Sequence, residues 1–122
     1  MKLYESAEDY LEAILILAQR NGVVHAVDVA RELGFTKASV SVAMHKLENS
    51  GYIAIKTNGE IILTEEGYKI ASSIYERHII LTDMLVSIGV SKEQAEIDAC
   101  KVEHDISKET FEAIKSIYLK RK

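Results

Sequence analysis

Proline is absent from the 122 residues, and cysteine occurs once, at Cys100. A single thiol excludes an internal disulfide and fits a reducing compartment; taken alone it reads as a small buried hydrophobe. No apolar run nears the roughly 18 residues of a membrane span. The start, Met1-Lys2-Leu3-Tyr4-Glu5, lacks a signal-peptide core, so a cytoplasmic location is expected. Low-complexity segments, repeats and linkers are missing too, as is any excess of positive charge. The formal net charge is −4. Neither half is basic: residues 1–63 hold six Lys/Arg and eight Asp/Glu, and residues 64–122 hold nine and eleven. A nucleic-acid binder with this balance needs a local basic surface, or binding that depends on added positive charge. What is present is 48% hydrophobic and 28% charged residues, which excludes a disordered chain. The length suits one compact domain or two small halves.

The apolar periodicity is helical except over one short stretch. A first helix is expected from about Ser6, its N-cap, to Gln19, with Leu11, Ile14, Leu15 and Ala18 inward and Asn21-Gly22 as its stop. A second runs from about Val27 to Leu33 and ends at Gly34. A third follows the N-cap Thr36 to about Asn49 and buries Val40, Met44 and Leu47. The period then shortens. Tyr52-Ile53-Ala54-Ile55 and Glu60-Ile61-Ile62-Leu63 read as strands around Lys56-Thr57-Asn58-Gly59, where Asn-Gly predicts a type I′ hairpin. A fourth helix, capped by Thr64, carries Ile70, Ile74, Leu81, Leu85 and Ile88 as far as Gly89. Some twenty-five residues at ~1.5 Å each make it about 37 Å long. Ser91-Lys92-Glu93-Gln94 is a capping-box pattern for a fifth helix, and Ser107 opens a sixth holding Phe111, Ile114, Ile117 and Tyr118.

Three helices and a two-stranded hairpin form the order of a winged helix-turn-helix. The expected fold is therefore mainly α: a winged helix-turn-helix over 1–63, followed by an all-helical domain over 64–122. Gly34 permits the tight turn before the third helix, whose N-terminal part is expected in a DNA major groove. Ser39, Ser41 and Val42 are small enough to let the helix approach base edges. Thr36, Lys37 and Lys46 are placed to meet the duplex, and Lys56 and Asn58 put the wing near a neighbouring phosphate. From Lys37 to Lys56 there are three lysines and one acid, Glu48, so this surface is locally positive. So few lysines imply a dimer on double-stranded DNA. A winged helix serving protein contacts is the plainer alternative.

Three segments offer metal-type ligands. Asp9 and Glu12 are an i,i+3 pair on the first helix. His78 lies four residues after Ile74, on the apolar stripe of the fourth. Cys100, Glu103 and His104 are expected within about 100° of arc on the fifth, with Ala95, Ala99 and Val102 opposite. Separately, these read as helix-end electrostatics, a core histidine and ordinary surface. Together, carboxylates, imidazoles and a thiol at this spacing are first-row metal ligands.

The order of elements, Glu8-Asp9-Tyr10-Leu11-Glu12, Arg77-His78 and Cys100-Lys101-Val102-Glu103-His104 resemble the diphtheria-toxin repressor family of iron- and manganese-dependent regulators. The resemblance spans essentially the whole chain. It implies Asp9, Glu12, His78, Cys100, Glu103 and His104 as metal ligands. Asp9 and Glu12 are similar to the manganese branch, which carries a metal-bridging glutamate where this chain has Cys100, a feature of the iron branch. Thr82 and Glu96 stand where the iron branch places a Glu and a His of a second site. The SH3-like third domain of that branch is not expected here.

The expectation is a metal-dependent transcriptional repressor, not an enzyme, because no nucleophile motif or α/β pattern is visible. The divalent cofactor is Fe²⁺ or Mn²⁺, with Co²⁺, Ni²⁺ or Zn²⁺ able to substitute in vitro. The alternative is a winged-helix regulator that responds to a small organic ligand without metal.

Overall fold

The computed structural model describes residues 5–121. Its elements follow as α1 (Glu5–Asn21), α2 (Ala26–Leu33), α3 (Lys37–Asn49), β1 (Ile53–Ile55), β2 (Ile61–Leu63), α4 (Glu65–Ser87), α5 (Lys92–Val102) and α6 (Lys108–Arg121). Two compact units divide the chain, Met1–Ser72 and Ser73–Lys122.

In the first unit, the expected apolar stripes become the core. Leu11, Ile14 and Leu15 of α1 and Val40, Met44 and Leu47 of α3 are buried, with Val29 and Ala30 of α2. Each fully buried side chain of this size contributes about 1.5–3 kcal/mol, against about 0–1 for a surface ion pair such as Arg20–Glu32. Apolar packing therefore decides this fold. Ser6 lies inside α1 and does not cap it, because the helix already includes Glu5. The start of α2 is fixed by a pair with no counterpart in the sequence pattern: the His25 N–H donates to Asp28 Oδ2 at 2.9 Å. Thr36 caps α3 as expected, its Oγ1 accepting from the Ser39 N–H.

The wing pairs Ile53 with Leu63, Ala54 with Ile62 and Ile55 with Ile61 in antiparallel register. Ile53 and Ile61 face inward, while Ala54 and Ile62 share the exposed face. The Ile61 N–H also donates to the Val24 carbonyl at 2.8 Å, tying the wing to the loop after α1. The turn is not type I′. That turn needs positive φ at both central residues, yet among the described residues only glycines have it. Gly59, at φ 89°, takes the left-handed position alone. The Gly59 N–H donates to the Lys56 carbonyl at 2.9 Å, and Asn58 Oδ1 accepts from the Glu60 N–H at 3.0 Å. Asn58 thus serves the turn through its side chain instead of its backbone.

Thr64 caps α4: its Oγ1 accepts from the Gly67 N–H at 3.2 Å and donates to the Gly51 carbonyl at 2.7 Å. Gly67 is needed here, because a Cβ on it would overlap the Tyr52 carbonyl. α4 stops at Ser87 instead of continuing to Gly89. Its 23 residues still extend roughly 34 Å.

In the second unit, Ile74, Ile80 and Leu81 of α4, Ala95 and Ala99 of α5 and Phe111 of α6 are buried. Tyr118 donates its hydroxyl to Asp83 Oδ2 at 2.8 Å, and Lys115 Nζ pairs with Glu76 Oε1 at 3.1 Å, joining α6 to α4. Ser91 caps α5, but only half of the capping box forms. The Gln94 side chain turns forward to Asp98 Oδ1 at 2.9 Å instead of back to the Ser91 N–H. Ile88 and Ile117, read as stripe positions, are exposed. Beside Ile88, an apolar cavity of about 220 Å³ is lined by Leu81, Met84, Leu85, Val102 and Ile114. An exposed apolar face of this kind is suited to a partner surface. Among the described residues no single helix is long and apolar enough to cross a membrane.

Candidate metal centre and nucleic-acid interface

The helix expected to read DNA has the surface that role requires. Lys37, Ser39, Ser41, Val42 and Lys46 are all exposed on α3. Their availability differs. Thr36 Oγ1 and Ser39 Oγ lie 2.6 Å apart, so these two hydroxyls bond each other across the cap. Ser41, Val42 and the two lysines carry no such local bond among the described residues. On the wing, Lys56 Nζ is 3.1 Å from Glu60 Oε1, and Asn58 already serves the turn. Both wing residues are therefore less available than the sequence suggested. Glu48, the one acid counted against this surface, is partly engaged: its Oε2 accepts from the Ile55 N–H at 3.1 Å, pinning the wing to α3, and its Oε1 lies 4.0 Å from His45 Nδ1.

Asp9 and Glu12 stand one turn apart on α1, Asp9 half-buried and Glu12 buried. In the second unit, α4 delivers His78 and the end of α5 delivers the rest. α5 ends at Val102; Glu103 is its C-cap and His104 lies in the following turn, so the two are not within the helix as expected. Nor does Glu103 face away from Ala95 and Ala99. It follows Ala99 by one turn, keeps the bond from its N–H to the Ala99 carbonyl at 2.9 Å, and is 0% exposed. Val102, placed with the two alanines, is instead exposed. Glu103 keeps helical backbone angles, φ −59° and ψ −27°, and so continues the buried Ala95–Ala99 face into the core.

Glu103 Oε2 is 2.9 Å from His78 Nδ1, and Oε1 is 3.5 Å from His104 Nε2, an imidazole itself 1% exposed. Among the described residues Oε1 accepts no hydrogen bond. The Cys100 thiol and a His104 ring nitrogen come within 4.8 Å of each other, as do the ligand atoms of His78 and Glu103. A carboxylate removed from water is costly by several kcal/mol unless opposite charge compensates it. Cys100 with His104, and His78 with Glu103, form two donor pairs of the kind a borderline-soft divalent cation takes, and the second pair includes a buried carboxylate oxygen without a hydrogen bond. The residues present fit such an ion.

Sequence reading missed the role of Arg77. Its Nη1 donates to the Glu103 carbonyl at 3.1 Å and to the Ile106 carbonyl at 3.0 Å, and its guanidinium lies 5.2 Å from the Phe111 ring centroid. The only signal was its place before His78.

A winged helix with an exposed, lysine-bearing third helix, together with this donor set, defines a DNA-binding regulator with a transition-metal site. Residues 2–60 match the N-terminal DNA-binding domain of iron-dependent repressors, and residues 64–120 match the metal-binding and dimerisation domain of the same proteins. The chain belongs to the iron-dependent repressor family, whose members are metal-dependent transcriptional repressors. It is 36% identical over 111 residues to the transcriptional regulator MntR of Escherichia coli O6:H1, covering 91% of this chain and 72% of that protein. It is 34% identical over 102 residues to MntR of Geobacillus kaustophilus, covering 84% and 72%. Among solved structures, a manganese-dependent transcriptional repressor in complex with manganese superposes at TM-score 0.82 with 26% identity, over 92% of this chain and 52% of that one. The manganese regulator SloR superposes at 0.80 with 23% identity, over 96% and 54%, and this likeness concerns the fold. The chain spans about half the length of both solved proteins.

Proposed function

We propose that this protein is a cytoplasmic homodimeric repressor that engages its operator when loaded with Fe²⁺ or Mn²⁺ and so controls genes of metal uptake. The observation that carries the reading is Glu103: a fully buried carboxylate between two imidazoles, one turn from a thiol. His78, Cys100, Glu103 and His104 are its proposed ligands in the second unit. Asp9 and Glu12 complete the set by the family resemblance. Residues 1–63 read DNA, and residues 64–122 dimerise and bind metal; the two family matches support that division.

When bound, the cation supplies positive charge that offsets these carboxylates. Without that compensation, Asp9, Glu12 and Glu103 repel one another as like charges, and the ligand-bearing segments lose their common anchor. With it, the two α3 helices of a dimer are held about one DNA turn apart, roughly 34–36 Å, as groove binding requires. Lys37 and Lys46 then contact phosphates, and Ser41 and Val42 approach bases. Thr36, Ser39, Lys56 and Asn58 contribute less, because each already serves a local bond. The ligands must be deprotonated to bind, so affinity falls in acid. The manganese-bound relative favours Mn²⁺, whereas a Cys100 thiolate favours the softer Fe²⁺, Co²⁺, Ni²⁺ or Zn²⁺.

The test is a gel-shift titration on the chain's own promoter region with Mn²⁺, with Fe²⁺ under anaerobic conditions, and with chelator. Retarded complex only with metal is expected. Equal affinity in chelator would refute the scheme.

A further inference from the structure

We infer that Arg77 is a positioning residue for the metal ligands: it holds the backbone after α5 so that the Glu103 carboxylate stays aimed at His78. The inference rests on the metal-binding reading above and names a residue that reading does not use.

The end of a helix leaves backbone carbonyls without intrahelical donors. Arg77 Nη1 supplies one at the C-cap of α5, Glu103 O at 3.1 Å, and a second carbonyl in the connection to α6, Ile106 O at 3.0 Å. Its guanidinium also lies 5.2 Å from the ring centroid of Phe111, a residue 3% exposed on α6. One side chain thus joins α4, the last turn of α5 and the first turn of α6. For Glu103 the consequence is specific. Its N–H is held by the Ala99 carbonyl and its own carbonyl by Arg77, so both sides of its backbone are fixed. Only its side-chain torsions remain, and burial restricts those. Arg77 immediately precedes His78 on α4, so one helical segment carries both the imidazole and the brace that presents its carboxylate partner. A lysine nitrogen could also donate to carbonyls, as Nη1 does, but an ammonium lacks the planar guanidinium that stacks on the Phe111 ring. Groups that orient metal ligands commonly affect affinity ten- to a hundredfold.

The general alternative is that Arg77 only stabilises the second unit, and a double-mutant cycle separates the two. The full chain is titrated with Co²⁺, following its visible bands, as wild type, Arg77→Ala, Glu103→Gln and the double variant; thermal melts of the metal-free proteins run in parallel. Arg77→Ala is expected to weaken Co²⁺ binding about ten- to a hundredfold. In the Glu103→Gln background the same change is expected to alter affinity less than about twofold, since the carboxylate through which Arg77 acts is gone. Arg77→Lys is expected to restore part of the affinity, and it replaces Arg77→Ala in the cycle if the alanine variant does not fold. Unchanged Co²⁺ affinity on losing Arg77, or the same loss in both backgrounds, overturns the inference. A wild-type protein that takes up no Co²⁺, Mn²⁺ or Fe²⁺ overturns the metal reading itself, and this inference with it.

Discussion

Glu103 Oε2 meets His78 Nδ1 at 2.9 Å while the glutamate is completely shielded from water. A ligand that binds only the folded state raises stability by mass action, about 2.7 kcal/mol at a hundredfold excess over Kd. Saturating Mn²⁺ or Co²⁺ is therefore expected to raise the melting temperature by several degrees, and chelator to reverse it. Glu103→Gln keeps the shape but removes the charge, so most of that rise should vanish. Scanning calorimetry with and without metal reads the difference; a full metal-induced rise in Glu103→Gln would remove this residue from the ligand set.

Under the proposed ligand set, Cys100 sets the softness of the donor atoms. Replacing its thiol by a carboxylate makes the donor set harder, so Cys100→Glu should shift relative affinity from Co²⁺ and Zn²⁺ toward Mn²⁺. Calorimetric titration of each ion into chelated protein measures the ratio. An unchanged Mn²⁺-to-Co²⁺ ratio would show that the thiol does not coordinate.

Lys46 and Lys56 separate available from committed charge on the DNA-binding half. Lys46→Ala should weaken DNA binding on every sequence and lower the steepness of its dependence on log salt by roughly 0.9 for each phosphate left without its lysine. Lys56→Ala should cost less, because its ammonium already pairs with Glu60 at 3.1 Å. Fluorescence anisotropy across a salt series gives both slopes, and a larger effect for Lys56 would reverse the assignment.

Gly67→Ala tests close approach against helix propensity. On propensity alone, alanine inside a helix is about 1 kcal/mol better than glycine. Here the new Cβ would overlap the Tyr52 carbonyl oxygen. The expected outcome is destabilisation by about 1–3 kcal/mol in urea melts, as in other overpacked sites. A more stable variant would show that α4 can shift away at little cost.

Tyr10 gives a component of alkaline unfolding. Burial pushes its phenol above the ordinary tyrosine value. The folded chain then keeps a proton that the unfolded chain loses first, so this contribution is complete below about pH 10 and declines as pH rises past it. Tyr10→Phe has no proton to lose. Its stability relative to wild type should improve between pH 8 and pH 11 in urea melts, and a constant difference would contradict the assignment.

Much of this was legible in the chain. The stripe Val40, Met44 and Leu47 and the caps Thr36, Thr64, Ser91 and Ser107 are local signals, set by helix geometry and by hydroxyls that satisfy helix-end N–H groups. The hairpin was legible too, but its turn type was not, because Asn58 can serve a turn through its side chain as well as through a left-handed backbone. The metal-type residues could be named from their chemistry, whereas their burial could not be read.

The order of side chains by itself determined the succession of helices and strands and most of their inward faces, because those depend on neighbours within a turn or two; it missed the start of α1 and the exposure of Ile88, Ile117 and Val102. Only the tertiary structure decided that Glu103 is internal, that Arg77 crosses 26 positions to hold its carbonyl, and that Glu48 bonds the wing. Such choices set the desolvation of a charge against a partner far along the chain, and no local periodicity encodes that balance.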